Sequence, residues 1–269
     1  MIPFIHLGRV TLSTYGFMLA TAAFMAYYVT RAELERRHLD PSRTPWIMLL
    51  LTISSLVFAK LYYLVFEQPS IWTLHQARLI DGTGFTAYGA LFGSFLGGLL
   101  IARLYRMPVL QLFDVLSVGW VLGYGICRIG CFLSGDGCYG IPTSLPWGMS
   151  FPDGLVPTTQ RVHPTPLYEF ITSAAIALYL WRLGSPSRRV PVATGTVFAQ
   201  ALIWSSLARF LVEFIKLNPP VWLGLVNAQW VAMILTACGL VLWWRLHERG
   251  QAALAAVTLG KRAGVGRRH

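Results

Sequence analysis

The sequence predicts an all-α, polytopic membrane protein of about seven transmembrane helices. Three observations carry this. Of its 269 residues 55% are hydrophobic and only 12% are charged, half of the ~25% charged share of soluble domains. Mean hydropathy is +0.56. Apolar runs near the ~20 residues that cross a bilayer recur along the chain. The net charge of +11 raises nucleic acid as a partner. The basic residues instead lie in short connections between apolar runs, as membrane topology requires, so no nucleic acid is expected.

The first run covers 12–30. A cleaved signal peptide has a basic start and an uninterrupted apolar stretch. Here Arg9 stands alone, and Thr11, Ser13, Thr14 and Tyr15 interrupt the run, so it is expected to remain as the first helix. The other runs cover 46–66, 86–102, 109–130, 167–181, 194–215 and 227–244. In the third, Gly89, Gly93 and Gly97 recur every four residues, the small-residue spacing that lets helices approach closely. Packing accounts for Gly93 and Gly97. Gly89, beside Tyr88, has a second reading as a place where lipid meets backbone.

Charge sets the expected orientation. Arg31, Arg36, Arg37 and Arg43 follow the first run, Arg103 and Arg106 the third, and Arg182, Arg188 and Arg189 the fifth. Arg245, Arg249, Lys261, Arg262, Arg267 and Arg268 follow the last. Only Arg9, Arg78, Arg161 and Lys216 fall on the other side. The positive-inside rule then puts the N-terminus outside and the C-terminus in the cytoplasm. Residues 1–249 are expected to form one membrane domain, with 131–166 as an extracytoplasmic cap. Residues 250–269 read as a basic, disordered cytoplasmic tail able to touch anionic lipid.

Arg128 lies at the end of the fourth run, where a charge is costly and marks function. Its guanidinium is always protonated and suits phosphate or carboxylate. Arg209 and Glu213 stand at i and i+4 on the sixth run and share a helix face. They read either as a structural ion pair or as an anion site in which Glu213 holds Arg209. Two arginines at one level suit a phosphate headgroup. Asp136, between glycines, caps a turn or contacts a polar substrate. The segment VHPTPLYEF brings His163, Tyr168 and Glu169 to the start of the fifth run. Tyr15 and Tyr88 are interface anchors or headgroup donors. Cys127, Cys131 and Cys138 are spaced C-x3-C-x6-C, a poor zinc pattern, so no metal is expected. Cys131 and Cys138 are open to two readings, a disulfide or free thiols.

Taken in order, GICRIGCFLSGDGCYG, LPWGMSFP, VHPTPLYE, RFLVEF and GLVNAQW resemble the motif series of the bacterial prolipoprotein diacylglyceryl transferase family. The resemblance runs from Tyr15-Gly16 to about Trp230. It implies a multi-pass protein of the bacterial plasma (inner) membrane. It implies transfer of the diacylglyceryl group of phosphatidylglycerol to the lipobox cysteine thiol of a prolipoprotein signal peptide. A thioether forms and glycerol phosphate leaves, without a cofactor. By position it implies catalytic roles for Arg209, Glu213 and Tyr15, and phospholipid contact by Arg128. Gly140 matches the glycine that closes the signature loop, and Tyr88, Asp136 and His163 complete the expected phosphatidylglycerol set. The chain departs from the family pattern at Cys131 and Ser134, where asparagines are usual, at Asp136 for glutamate and at Tyr88 for histidine. Those departures motivate a second reading, a non-catalytic phospholipid- or lipoprotein-binding paralogue. A third reading is a thiol-active membrane protein using Cys131 and Cys138.

Overall fold

The structure, a computed structural model, describes residues 1–8, 10–67, 86–185 and 192–265. Arg9, Arg78, Arg188, Arg189, Arg267 and Arg268, used above for orientation, lie outside the described residues. The fold is mostly helical. Seven α-helices are described: α1 (Thr14–Arg36), α2 (Thr44–Tyr62), α3 (Ala87–Leu104), α4 (Val109–Ser134), α5 (Thr165–Leu183), α6 (Thr196–Val212) and α7 (Asn227–Val265). Two short hairpins, β1 (Phe4–Leu7) with β2 (Val10–Ser13) and β3 (Met149–Phe151) with β4 (Thr158–Val162), complete them.

Five segments among the described residues are long and apolar enough to span a bilayer: Pro41–Phe66, Ala87–Leu104, Val109–Ser134, Thr196–Ile215 and Asn227–Arg249. α1 and α5 fall short of the seven expected spans for a visible reason. α1 ends in Arg31, Glu33, Glu35 and Arg36, and α5 opens on Thr165 and Pro166 with Glu169 close behind. α7 continues past 249 to Val265. Its QAALAA stretch consists of strong helix formers.

The chain divides into two units, Arg31–Phe113 and Met1–Thr30 with Asp114–His269. In the first of these, α2 and α3 join along a seam of small residues. Ser54 Oγ donates to the Gly93 carbonyl at 2.7 Å and Ser55 Oγ to the Ala90 carbonyl at 3.0 Å. A Cβ on Gly93 would collide with the Ser54 carbonyl and lie 2.6 Å from Phe58 Cβ. Gly89 is closed in the same way by Phe58, Ala59 and Tyr62. All three glycines therefore serve helix approach, and the lipid reading of Gly89 is corrected.

The other unit holds the candidate site. Its core joins Val118 and Val121 of α4, Ala177 and Leu180 of α5, and Val197 and Ala201 of α6. Asp114, 1% exposed, accepts hydrogen bonds from the Gly195 and Phe198 amides at 2.7 and 2.8 Å. It thereby satisfies the open amides and positive end of α6. Large apolar side chains such as Ile171, Leu178, Leu211 and Ile234 stand at least half exposed. In water such a surface would be an aggregation liability; against lipid tails it is an ordinary outer face.

The segment after α4 is ordered. Leu155 and Val156 amides donate to the Ser134 and Gly135 carbonyls at 3.0 and 2.9 Å. Tyr139 stacks on Phe151 at 5.2 Å, and both pack with Val162, Met1 and Phe132. This small core, laid over the ends of α4 and α5, fixes the loops that carry the site.

Candidate active site

The site is built where α4 and α6 end and α5 begins. Arg128 stands on α4 six residues before its last, Arg209 on the last turn of α6, and Glu169 at the start of α5. Glu213 and Lys216 follow α6 through a single 3-10 turn. Glu169 is the hub. Its Oε1 accepts from Arg209 Nη1 at 2.6 Å and from the Tyr124 hydroxyl at 2.6 Å. Its Oε2 lies 2.9 Å from Lys216 Nζ and 3.6 Å from Arg128 Nε. Arg209 Nη2 pairs with Glu213 Oε1 at 2.5 Å, and Asn218 Nδ2 donates to Glu213 Oε2 at 2.6 Å. The Arg128 guanidinium lies over the Tyr124 ring, 4.8 Å from its centre. Arg209 Nη1 also donates to the Tyr124 hydroxyl at 3.1 Å.

Three cations thus face two carboxylates, and one positive charge remains over. Both carboxylates are deeply buried, Glu169 at 4% and Glu213 at 3% exposure. Arg128 Nε and Glu169 Oε2, 3.6 Å apart, are both buried without a hydrogen-bond partner. A buried cluster with surplus positive charge is suited to an anion. Burial also pushes the Lys216 ammonium below its ordinary pKa, while Glu169 pulls it upward.

Of the residues singled out in the sequence, Arg209 and Glu213 meet as expected, and Arg128 joins them through Glu169. Asp136 Oδ1 accepts from the Cys138 amide at 3.1 Å, the turn-capping role. Gly140 donates its amide to the His163 carbonyl at 2.8 Å and bridges to Lys216. A Cβ there would collide with the Ile215 carbonyl and lie 2.9 Å from Thr165 Cγ2, so only glycine lets the loop reach Lys216. His163 Nδ1 lies 3.3 Å from the Tyr168 hydroxyl, which accepts from Trp147 Nε1 at 2.8 Å. Tyr15, 39% exposed at the start of α1, lies against Gly130 of α4. Tyr88 belongs to the Arg31–Phe113 unit, where its ring centre is 6.4 Å from that of Tyr62. The cysteines are free thiols.

A family model for prolipoprotein diacylglyceryl transferase matches residues 3–245. The chain belongs to this family. Phosphatidylglycerol–prolipoprotein diacylglyceryl transferases similar to it include that of Thermosynechococcus vestitus, 28% identical over 257 residues that cover 92% of this chain and 93% of the relative. That of Nostoc sp. is 30% identical, covering 91% of this chain and 89% of its own length. A second transferase of Clostridium perfringens is 29% identical over 86% of this chain and 89% of the relative. Membership and the five apolar helices make this family member a multi-pass membrane protein. The geometry adds three residues to the site: Glu169 as the hub, with Tyr124 and Lys216 as its partners. In the sequence Glu169 stood out only with His163 and Tyr168, in the segment VHPTPLYEF at the start of the fifth run.

Proposed function

We propose that this protein transfers the diacylglyceryl group of phosphatidylglycerol to the lipobox cysteine thiol of prolipoproteins, at the outer face of the bacterial plasma membrane. The observation that carries the site assignment is the surplus positive charge of the Arg128–Arg209–Lys216 cluster. Phosphatidylglycerol presents a single negative charge at its phosphodiester. When the thiolate attacks the glyceryl carbon, the C–S bond forms and the C–O bond breaks. Its electron pair leaves on the phosphate oxygen, and donors placed there stabilise the charge that develops. Arg209 and Arg128 are assigned to that oxygen and its neighbours. Glu169 and Glu213 hold them in place, and Tyr124 fixes the guanidinium planes. An open apolar groove of about 500 Å³ runs between α5 and α6, lined by Tyr168, Ile176, Trp204, Leu211 and Ile215 among others. It suits an acyl chain whose headgroup reaches the cluster. Tyr15, Asp136, Gly140 and His163 are assigned to headgroup positioning or to the shape of its loop.

Complementation tests the reading. Cells depleted of their own transferase and supplied with this chain should again lipidate their lipoproteins. Arg128→Ala and Arg209→Ala should remove that product while the protein still inserts. Normal lipidation by either variant would remove the cluster from the reaction, and no lipidation by the wild-type chain would remove the function.

A further inference from the structure

Arg128 also reaches two sulfurs. Its Nη1 lies 3.8 Å from Cys131 Sγ and 3.7 Å from Cys138 Sγ. With a carboxylate oxygen of Asp136, these sulfurs form a trio whose ligand atoms all lie within 4.8 Å of one another. We propose that Cys131, Asp136 and Cys138 bind a thiophilic divalent ion of the zinc type, with one coordination position open to a substrate thiol.

Bonds of about 2.3 Å to sulfur and 2.0–2.2 Å to oxygen place tetrahedral ligand atoms roughly 3.5–3.8 Å apart. The trio, within 4.8 Å, reaches that spacing by closing at most about 1 Å. The backbone holds the trio in place. Cys131 is buried on the last turn of α4. Gly135 and Gly137, at φ +60° and +86°, turn the chain back toward it. Cys138 is pinned on both sides, its amide by Asp136 and its carbonyl by Thr165 Oγ1 at 2.5 Å. The cysteine spacing hid this site because Cys127 lies outside the trio and Asp136 belongs to it. Arg128 supplies the outer contact, a donor to both sulfurs of the kind that orients metal ligands.

The charges balance. A divalent ion that displaces two thiol protons to water leaves the net charge unchanged, so the surplus positive charge for phosphate is kept. Three protein ligands with an open fourth position are the arrangement of catalytic zinc, whereas structural sites close all four. A thiol that takes the fourth position releases its proton to solvent and is held as thiolate, the nucleophilic form. That role rests on the transferase reading; the metal site itself does not.

The test uses the full-length protein purified in detergent. Elemental analysis should find about one zinc per chain. Exchange with cobalt(II) should give a thiolate charge-transfer band and the strong visible bands of a tetrahedral site. Cys131→Ser and Cys138→Ser should each remove metal and bands, while Cys127→Ser keeps them; gel filtration identifies any variant that has lost its fold. A lipobox peptide with cysteine should shift the visible bands, and its serine counterpart should not. Wild-type protein without metal, a Cys131–Cys138 disulfide found by mass spectrometry, or metal retained in both serine variants overturns the site. Bands unmoved by the thiol peptide overturn the open position. Because no arm measures transfer, a failure of complementation leaves the metal site and its open position intact and removes only the role in transfer.

Discussion

At the scale of single residues, Glu169 decides how the cluster behaves. It touches Arg128, Arg209 and Lys216 at once. Glu169→Gln keeps the shape but leaves three buried cations against Glu213 alone. Removing one partner of a buried ion pair costs roughly 3–5 kcal/mol. The variant should therefore melt earlier in detergent and give no lipidated product, while Glu169→Asp retains part of both. A melting temperature equal to wild type would remove Glu169 from its place as hub. Arg209→Gln should lower the transfer rate on the order of 10²–10³-fold, the cost of one lost donor to a developing oxyanion. Its insertion and expression should remain those of the wild type, read by quantitative blot beside the lipidation assay. Lys216 adds a pH signature. Its ammonium is held below the ordinary lysine pKa of about 10.4 by burial. The surplus charge is lost as pH rises through that depressed value. Phosphatidylglycerol binding should fall on this alkaline limb, and Lys216→Arg should move the limb upward. The Arg209–Glu213 pair was legible in the sequence because helix geometry fixes residues four apart. The hub was not, because Glu169 meets its partners across forty or more residues and no local period marks such a meeting.

At the scale of elements, the helices were legible and their anchors were not. Apolar runs located all seven helices, and five of them have the length and apolarity that crossing a bilayer requires. The hairpins escaped because β1 to β4 are three to five residues long, too short for alternation to show. Asp114 escaped for another reason. A lone acid in an apolar run reads as an isolated charge, yet here it closes the N-terminus of α6 from 81 and 84 residues away. Asp114→Ala leaves two buried amides without acceptors. Loss of an N-cap costs about 0.5–2 kcal/mol. The variant should show a lower melting temperature, and hydrogen exchange should quicken in the first turn of α6 before it does in α5. Unchanged protection of residues 195–198 would show that α6 starts without this anchor. The cluster lies at the far end of α6, so phosphatidylglycerol binding should weaken less than stability.

At the scale of the whole molecule, orientation follows from where charge is tolerated. The arginines at 31–43, 103–106 and 182–189, with those from Arg245 onward, fall on one side of the membrane if each run crosses it once. The cap, with Asp136 and Asp153 and Arg161 as its one Lys or Arg, falls on the other. The internal positions of Arg128, Arg209 and Lys216 do not disturb this count, because buried carboxylates balance all but one of their charges. The substrate supplies a second constraint. A secreted preprotein presents its lipobox where it leaves the membrane, so the cluster must open on the extracytoplasmic side. Both lines lead to the expectation that the cap lies outside. A green fluorescent protein fused after Arg249 should therefore fluoresce, because it folds in the cytoplasm. Alkaline phosphatase inserted at Asp153 in the cap should be active, because it requires an oxidising compartment. Dark fusions at Arg249 together with inactive phosphatase at Asp153 would invert the protein. The cluster would then face the cytoplasm, away from the lipobox that the proposed reaction requires.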